Sequence, residues 1–247
     1  MDLKDRVAII TGGGTGIGRA TALLLAEHGV TVAVNYSRSK ADAERTVEEI
    51  RVRGGEAAAF QTDVSDDSHV RQMVADVVRL YGRIDFVVNN AGTTRYVTLD
   101  DLDGMSEEYW DEIFAVNVKG AFFVSRAAAE ELRRNRGCIV NVASIAGLTG
   151  GGSSMAYAAS KAALLSVTRS LAVALAPEVR VNAVAPGIVL SRWVDGHEEH
   201  VERYSAGTPL GKAALPEDVA TVVLSLIDRA GHVTGQTWVV DGGMVMR

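Results

Sequence analysis

Tyr157 and Lys161 stand four residues apart in a stretch, 155–176, that reads as a helix, so their side chains share one face. Ser144 lies thirteen residues before Tyr157, just past an apolar run that reads as a strand. A phenol held beside an ammonium can give and take a proton. Free tyrosine, with a pKa of about 10, is a weak base at neutral pH. Bringing it near 7 takes roughly 4 kcal/mol of preferential phenolate stabilisation, part of which a neighbouring ammonium supplies.

A second candidate for chemistry is the loop Thr11-Gly12-Gly13-Gly14-Thr15-Gly16-Ile17-Gly18, between the first apolar run and the first helical stretch. The spacing is T-G-x-x-x-G-x-G rather than G-x-G-x-x-G, because Arg occupies position 19. The physics is the same: without Cβ atoms the backbone can turn tightly and approach a pyrophosphate, and the helix N-terminus offers N–H groups to its oxygens. A loop that merely turns the chain is the plainer alternative. A P-loop is excluded, since no Lys-Ser or Lys-Thr follows the glycines. After the second strand the chain reads Asn35-Tyr36-Ser37-Arg38-Ser39, without the acid that binds a ribose 2′-hydroxyl in NAD sites. Ser37 and Arg38 suit a 2′-phosphate instead, unless Arg38 is simply solvated near a helix start. Asp63 could accept from an adenine amino group or cap the helix that follows.

The elements that must position these groups alternate throughout. Strands are expected at 7–10, 30–35, 57–62, 84–88, 138–142, 179–184 and 237–240, with helices after Gly16, at 41–53, 68–81, 106–134 (Ser106 as N-cap) and 155–176. The strands are continuous apolar runs, the mark of a sheet covered on both faces. The expectation is α/β: a single doubly wound Rossmann-type domain over 1–247, with a parallel sheet of about seven strands and helices on both faces. Ligands in such folds sit beyond the carboxyl ends of the strands, where these residues fall.

Composition sets limits. The chain has 247 residues, 47% hydrophobic and 23% charged, with a net charge of −6. That balance excludes wholesale disorder and argues against a nucleic-acid or anionic-membrane binder. One cysteine, Cys138, excludes an internal disulfide and a multi-cysteine metal site, and its apolar strand predicts an inert, packed thiol. The uncharged stretch 137–160 is too rich in Gly, Ser and Asn to span a membrane, and a cytoplasmic location is expected.

Taken in order, the Thr11–Gly18 loop, Asp63, Asn89-Asn90-Ala91-Gly92, Asn117, Ser144, Tyr157-x-x-x-Lys161, Pro186-Gly187 and Asp241-Gly242-Gly243 closely resemble the short-chain dehydrogenase/reductase family, nearly end to end. The resemblance implies an NAD(P)-dependent oxidoreductase acting on carbonyls or secondary alcohols. Its catalytic residues would be Asn117, Ser144, Tyr157 and Lys161. Lys161 would also bind the nicotinamide ribose, Ser144 the substrate oxygen, and the Asn117 carbonyl a water linking Lys161 to solvent. Oxidised nicotinamide would further favour the phenolate. The implied coenzyme contacts are Gly12, Thr15, Gly16, Ile17, Gly18, Ser37, Arg38, Asp63, Val64, Asn90, Ala91, Gly92, Tyr157, Lys161, Pro186, Gly187, Val189 and Ser191, with NADP(H) preferred over NAD(H). The segment 188–211 resembles the family's substrate lid.

Within the family the pattern is most like the 3-oxoacyl-[acyl-carrier-protein] reductase group, which points to a 3-oxoacyl thioester. The thioester would be carrier- or CoA-linked; an acidic carrier protein would need a basic rim, for which Arg133, Arg134 and Arg136 are candidates, and Glu178 stands where carrier-protein reductases commonly hold a second base. That departure keeps a free ketone, aldehyde, sugar or cyclic alcohol as an alternative, and a non-catalytic NADP-sensing protein is a third reading. The substrate wall is expected from Thr93, Thr94, Arg95 and Tyr96, from 145–155 and from the lid. In the lid, His197 and His200 lie three apart, not the four of a zinc-binding H-E-x-x-H, and no metal is expected. Alanine clusters at 127–129, 158–159 and 162–163 suit close helix packing, and with the family's habit imply a homotetramer.

Overall fold

The computed structural model describes residues 3–246, except the side chains of Glu198, His200 and Arg203. Its strands are β1 (Val7–Ile10), β2 (Thr31–Tyr36), β3 (Ala57–Gln61), β4 (Phe86–Asn89), β5 (Cys138–Val142), β6 (Arg180–Pro186) and β7 (Thr237–Val240). They form one parallel sheet in the order β3-β2-β1-β4-β5-β6-β7. The order reverses between β1 and β4, which opens a crevice beyond their carboxyl ends.

The helices are α1 (Gly16–Glu27), α2 (Lys40–Val52), α3 (Asp67–Tyr81), α4 (Glu107–Phe114), α5 (Ala121–Asn135), α6 (Ala146–Thr149), α7 (Met155–Leu175), α8 (Glu198–Gly207) and α9 (Pro216–Asp228). Successive strand side chains point to opposite faces, so each strand feeds two cores. Ala8 and Ile10 join a cluster with α1, α2 and α9, including Leu25, Ile50 and Leu226. Val7 and Ile9 join another with α3, α5 and α7, including Val70, Leu132 and Leu171. Cys138 is buried in the first cluster, and burial pushes its thiol up to about 11, consistent with an inert side chain. Helix α7 is long and apolar enough to cross a membrane, but half of its apolar window is buried inside the fold.

Two expectations need correction. The stretch 106–134 is not one α-helix: α4 and α5 are joined by a π-helical turn, Ala115–Gly120, while Ser106 caps α4 as expected by accepting from Tyr109 N. Helices α6, α8 and α9 were not among the expected elements, although Pro216 at the start of α9 and Glu217 and Asp218 in its first turn are good helix-start residues.

Candidate active site

The carboxyl edge of the sheet opens into a cleft of about 1140 Å³, bounded by the β1–α1 loop, the ends of β2, β4, β5 and β6, and residues 186–204. Every sequence-predicted catalytic or coenzyme residue lines it except Gly18 and Asn117; of the expected substrate wall, Thr93 and Tyr96 line it, and Thr94 and Arg95 do not.

The glycine loop is shaped by close approach. Gly12 adopts φ +62, and its N–H donates to Asn35 Oδ1 at 3.3 Å. Gly18 is a packing position that does not itself line the cleft. A Cβ there would stand 2.3 Å from the Gly12 carbonyl oxygen and 2.5 Å from Asn90 Nδ2, so only glycine lets α1 begin so close to β1 and β4. Helix α1 starts at Gly16 with no side-chain cap from Thr15 and no acid in its first turn. Neither its cap nor its own first turn supplies an acceptor for the N–H groups at its positive dipole end, which fits a pyrophosphate.

Two residues missed at the sequence level hold this loop. The Thr11 hydroxyl accepts from Asn90 N and Ala91 N, both at 3.0 Å, and Asn90 Nδ2 returns bonds to the Thr11 and Gly12 carbonyls. Asn35 donates from Nδ2 to the Thr62 carbonyl at 3.0 Å, joining the ends of β2 and β3. Both pair backbone groups distant in the chain, which spacing alone does not reveal.

Ser37, Arg38 and Ser39 form the bank beyond β2, and Arg38 is exposed. Asp63 faces the cleft and accepts from Ser65 N and Oγ at 2.9 and 2.7 Å. It does not cap α3. Asp66 does, accepting from Ser68 N and His69 N.

The catalytic corner lies where β5, α7 and the π-turn meet. Ser144, just past β5, accepts from Ala146 N at 3.1 Å, and Tyr157 comes from the first turn of α7, which Ser154 caps. Lys161, one turn on, is buried, and its Nζ donates to the Val142 carbonyl at 2.8 Å while lying 5.7 Å from the centre of the Tyr157 ring. Burial pushes the Tyr157 phenol up to about 12, against a smaller downward pull from its hydrogen bond with Ser144. Burial lowers the Lys161 ammonium to about 8. Thus at neutral pH the phenol holds its proton and the lysine is still mostly charged.

Asn117 sits one layer behind, buried in the π-turn. Its amide accepts from Thr93 N at 2.8 Å and donates to the Thr93 carbonyl and Ser160 Oγ, both at 3.0 Å. It ties the loop after β4 to the helix that carries Tyr157 and Lys161. A Cβ on Gly92 would stand 3.4 Å from Asn117 Oδ1 and 3.7 Å from Lys161 Nζ, so these groups crowd one small space.

The far wall is aromatic. Thr94 Oγ1 and Ser153 Oγ are 2.6 Å apart, and Val97 N donates to the Ser153 carbonyl, joining two loops of that wall. Tyr96 donates its hydroxyl to the Trp193 carbonyl at 2.9 Å and stacks on His197 at 3.9 Å, while Trp193 lies 6.1 Å from the Tyr157 ring. Tyr204, also missed at the sequence level, lines the cleft and donates to the Asp241 carbonyl. The Asp241-Gly242-Gly243 motif is structural: the buried Asp241 carboxylate accepts from Gly243 N and Val245 N. The His200 side chain lies outside the described residues, and among those described no group of three His, Cys, Asp or Glu side chains could hold a metal. Arg95 pairs with Glu112 at 2.6 Å. Arg133, Arg134 and Arg136 are at the end of α5, just before β5 begins, hence at the opposite edge of the sheet from the cleft. They do not rim this chain's own pocket.

Glycine-shaped backbone, a helix N-terminus without a side-chain cap and a Tyr–Lys–Ser corner in one cleft define a dinucleotide-dependent oxidoreductase. Comparison with known proteins gives the family. Residues 12–245 match the family model described as Enoyl-(Acyl carrier protein) reductase. The 3-oxoacyl-[acyl-carrier-protein] reductase FabG of Staphylococcus aureus is 41% identical over 244 residues, covering 97% of this chain and 98% of that protein. The enzyme of the same name from Thermotoga maritima is 40% identical over 250 residues, covering both in full. A solved Burkholderia xenovorans chain assigned to the short-chain dehydrogenases/reductases superposes with a TM-score of 0.92 at 36% identity, covering 97% of each. The chain belongs to the short-chain dehydrogenase/reductase family and is an oxidoreductase acting between C=O and CH–OH with a nicotinamide coenzyme.

Proposed function

We propose that the chain is an NADP(H)-dependent ketoreductase whose best substrate is a 3-oxoacyl thioester, with 1–247 one domain and 188–211 its substrate lid. The observation that carries this reading is the meeting of Ser144, Tyr157 and Lys161 in one cleft with the glycine loop. The match described as an enoyl reductase and the relatives named 3-oxoacyl reductases differ in the bond reduced, C=C against C=O. Two hydroxyls, on Ser144 and Tyr157, suit a carbonyl oxygen on which negative charge develops.

A bound reduced nicotinamide supplies the hydride. Ser144 holds the carbonyl oxygen in place, and Tyr157 Oη donates its proton to that oxygen. The Lys161 ammonium stabilises the phenolate left behind, and Asn117 fixes the helix that carries both. A water on the Asn117 carbonyl would return the proton from solvent through Lys161. In the alcohol-to-ketone direction the proton moves backwards. Gly12, Thr15, Gly16 and Ile17 would receive the pyrophosphate, with Gly18 permitting their approach. Ser37 and Arg38 would take the 2′-phosphate, Asp63 and Val64 the adenine. Asn90, Ala91, Gly92, Pro186, Gly187, Val189 and Ser191 would line the nicotinamide half.

A second reading, a free ketone, aldehyde, sugar or cyclic alcohol, is favoured by Glu178 and by the position of Arg133, Arg134 and Arg136 away from the cleft. A purely NADP-sensing role is disfavoured by the intact Tyr157, Lys161 and Ser144. A homotetramer through α5 and α7 would cover Phe122 and Val173, both exposed here.

The test is a screen of 3-oxoacyl thioesters and free carbonyls with NADPH and NADH, followed by nicotinamide absorbance. The expected result is turnover of an acetoacetyl thioester with NADPH at least tenfold more efficient than with NADH. Turnover of free carbonyls alone would favour the second reading, and a preference for NADH would overturn the coenzyme assignment.

A further inference from the structure

The bank of the cleft beyond β2 contains a cation that comes from the far side of the chain. Arg192, in the 3₁₀ turn Arg192–Val194, reaches across to the start of α2. Its Nη2 donates to Ser39 Oγ at 3.1 Å and its Nη1 to Asp42 Oδ2 at 2.9 Å. Arg192 thereby shares this part of the cleft wall with Ser37, Arg38 and Ser39.

The ion pair is loosely made. Arg192 is about half exposed, so its pairing with Asp42 contributes little on its own. Asp42 also has a second partner, Arg45, on the same face of α2. Arg192 can therefore leave without stranding an unpaired carboxylate. A phosphate dianion at this bank offers a guanidinium more charge than one shared carboxylate, and in a geometry that accepts two N–H bonds. The turn is otherwise anchored on the opposite wall: the Trp193 carbonyl accepts from Tyr96, and His197 stacks on the same ring. Ser191, the preceding residue, lies over the glycine loop, 3.4 Å from where a Cβ on Gly16 would be.

We propose that Arg192 is a second guanidinium for the coenzyme's 2′-phosphate, exchanging Asp42 for that group and so tying closure of the 192–197 segment to the phosphorylated coenzyme. The inference rests on the NADP(H) reading above. It differs from a plain latch between turn and helix in predicting opposite effects for the two partners. Arg192→Gln removes a phosphate ligand. Asp42→Asn removes the competitor and a repelling charge.

Titration calorimetry on the whole protein, with adenosine 2′,5′-bisphosphate and adenosine 5′-monophosphate as probes, reads phosphate recognition without turnover. The parent should bind the bisphosphate more tightly. Arg192→Gln should reduce that preference about tenfold, the effect of losing a charge-assisted hydrogen bond. Asp42→Asn should increase it several-fold. The same directions are expected for the ratio of kcat/KM between NADPH and NADH. A parent without preference for the bisphosphate would overturn the coenzyme reading and the inference with it. A parent with the preference but an Arg192→Gln variant that keeps it in full would overturn the inference alone. So would an Asp42→Asn variant that loses the preference. Arg192 is exposed and Asp42 partly so, and unchanged melting temperatures would confirm that the variants are folded.

Discussion

The two walls of the cleft are built differently. The catalytic wall is half-buried at Ser144 and Tyr157, fully buried behind them, and held by hydrogen bonds between elements far apart in sequence: Asn117 to Thr93 and Ser160, Thr11 to Asn90 and Ala91, Lys161 to the β5 carbonyl. The opposite wall, from Arg192 to His197, is largely exposed and rests on Arg192, the Tyr96 hydroxyl and a ring stack. The contrast suits a division of labour. Proton transfer needs groups fixed to a fraction of an ångström, whereas admitting substrate needs a wall that can give way.

Breaking the buried wall should have the largest effect. Lys161→Met should lower kcat about 100- to 1000-fold, read by nicotinamide absorbance. The same change should stabilise the protein. The folded-state pKa of Lys161, about 8, lies below its ordinary 10.5, so the ammonium opposes folding in full below pH 8 and the penalty fades as pH rises to 10.5. Chemical denaturation at pH 7 should show the variant more stable by about 2 kcal/mol, after allowing for the lost bond to the Val142 carbonyl. By pH 10 the difference should be mostly gone. Loss of activity without a stability gain would mean that Lys161 is not held against a desolvation penalty.

The next effect is a titration of the same wall. Reduction needs the Tyr157 proton, held up to about 12, and the Lys161 charge, lost above about 8. The kcat/KM for reduction should therefore be flat through neutral pH and fall up to tenfold per unit above about 8. The exposed wall should respond least. Tyr96→Phe removes the bond to the Trp193 carbonyl but keeps the ring for His197. It should raise KM for the carbonyl roughly two- to fivefold and leave kcat nearly unchanged. A large fall in kcat would place Tyr96 with the buried wall.

The same division governs what can be read from sequence. The inner strands are legible because burial on both faces makes them unbroken apolar runs, as in Val7-Ala8-Ile9-Ile10 and Cys138-Ile139-Val140-Asn141-Val142. Tyr157 and Lys161 are legible because helical periodicity alone puts them on one face. Helix α9 is less so, since its Val-Ala-Thr-Val-Val run is β-branched and looks as much like a strand as a helix. The π-turn is invisible to periodicity. Its Asn117 bonds Thr93 and Ser160, neither of which is a neighbour in sequence. Gly18 belongs to a contact motif and is also a packing glycine, which the nearby Gly12 carbonyl and Asn90 amide reveal. Arg192 is illegible for the same reason, its partners being about 150 residues away.

The central claim is that Tyr157 Oη is the proton donor and acceptor. Tyr157→Phe removes that oxygen while keeping the ring that lies beside Trp193. Its kcat, measured beside coenzyme affinity on the same preparation, should fall at least about 1000-fold with affinity within a few-fold of the parent. A Tyr157→Phe variant that turns over at a rate near the parent's would contradict the account.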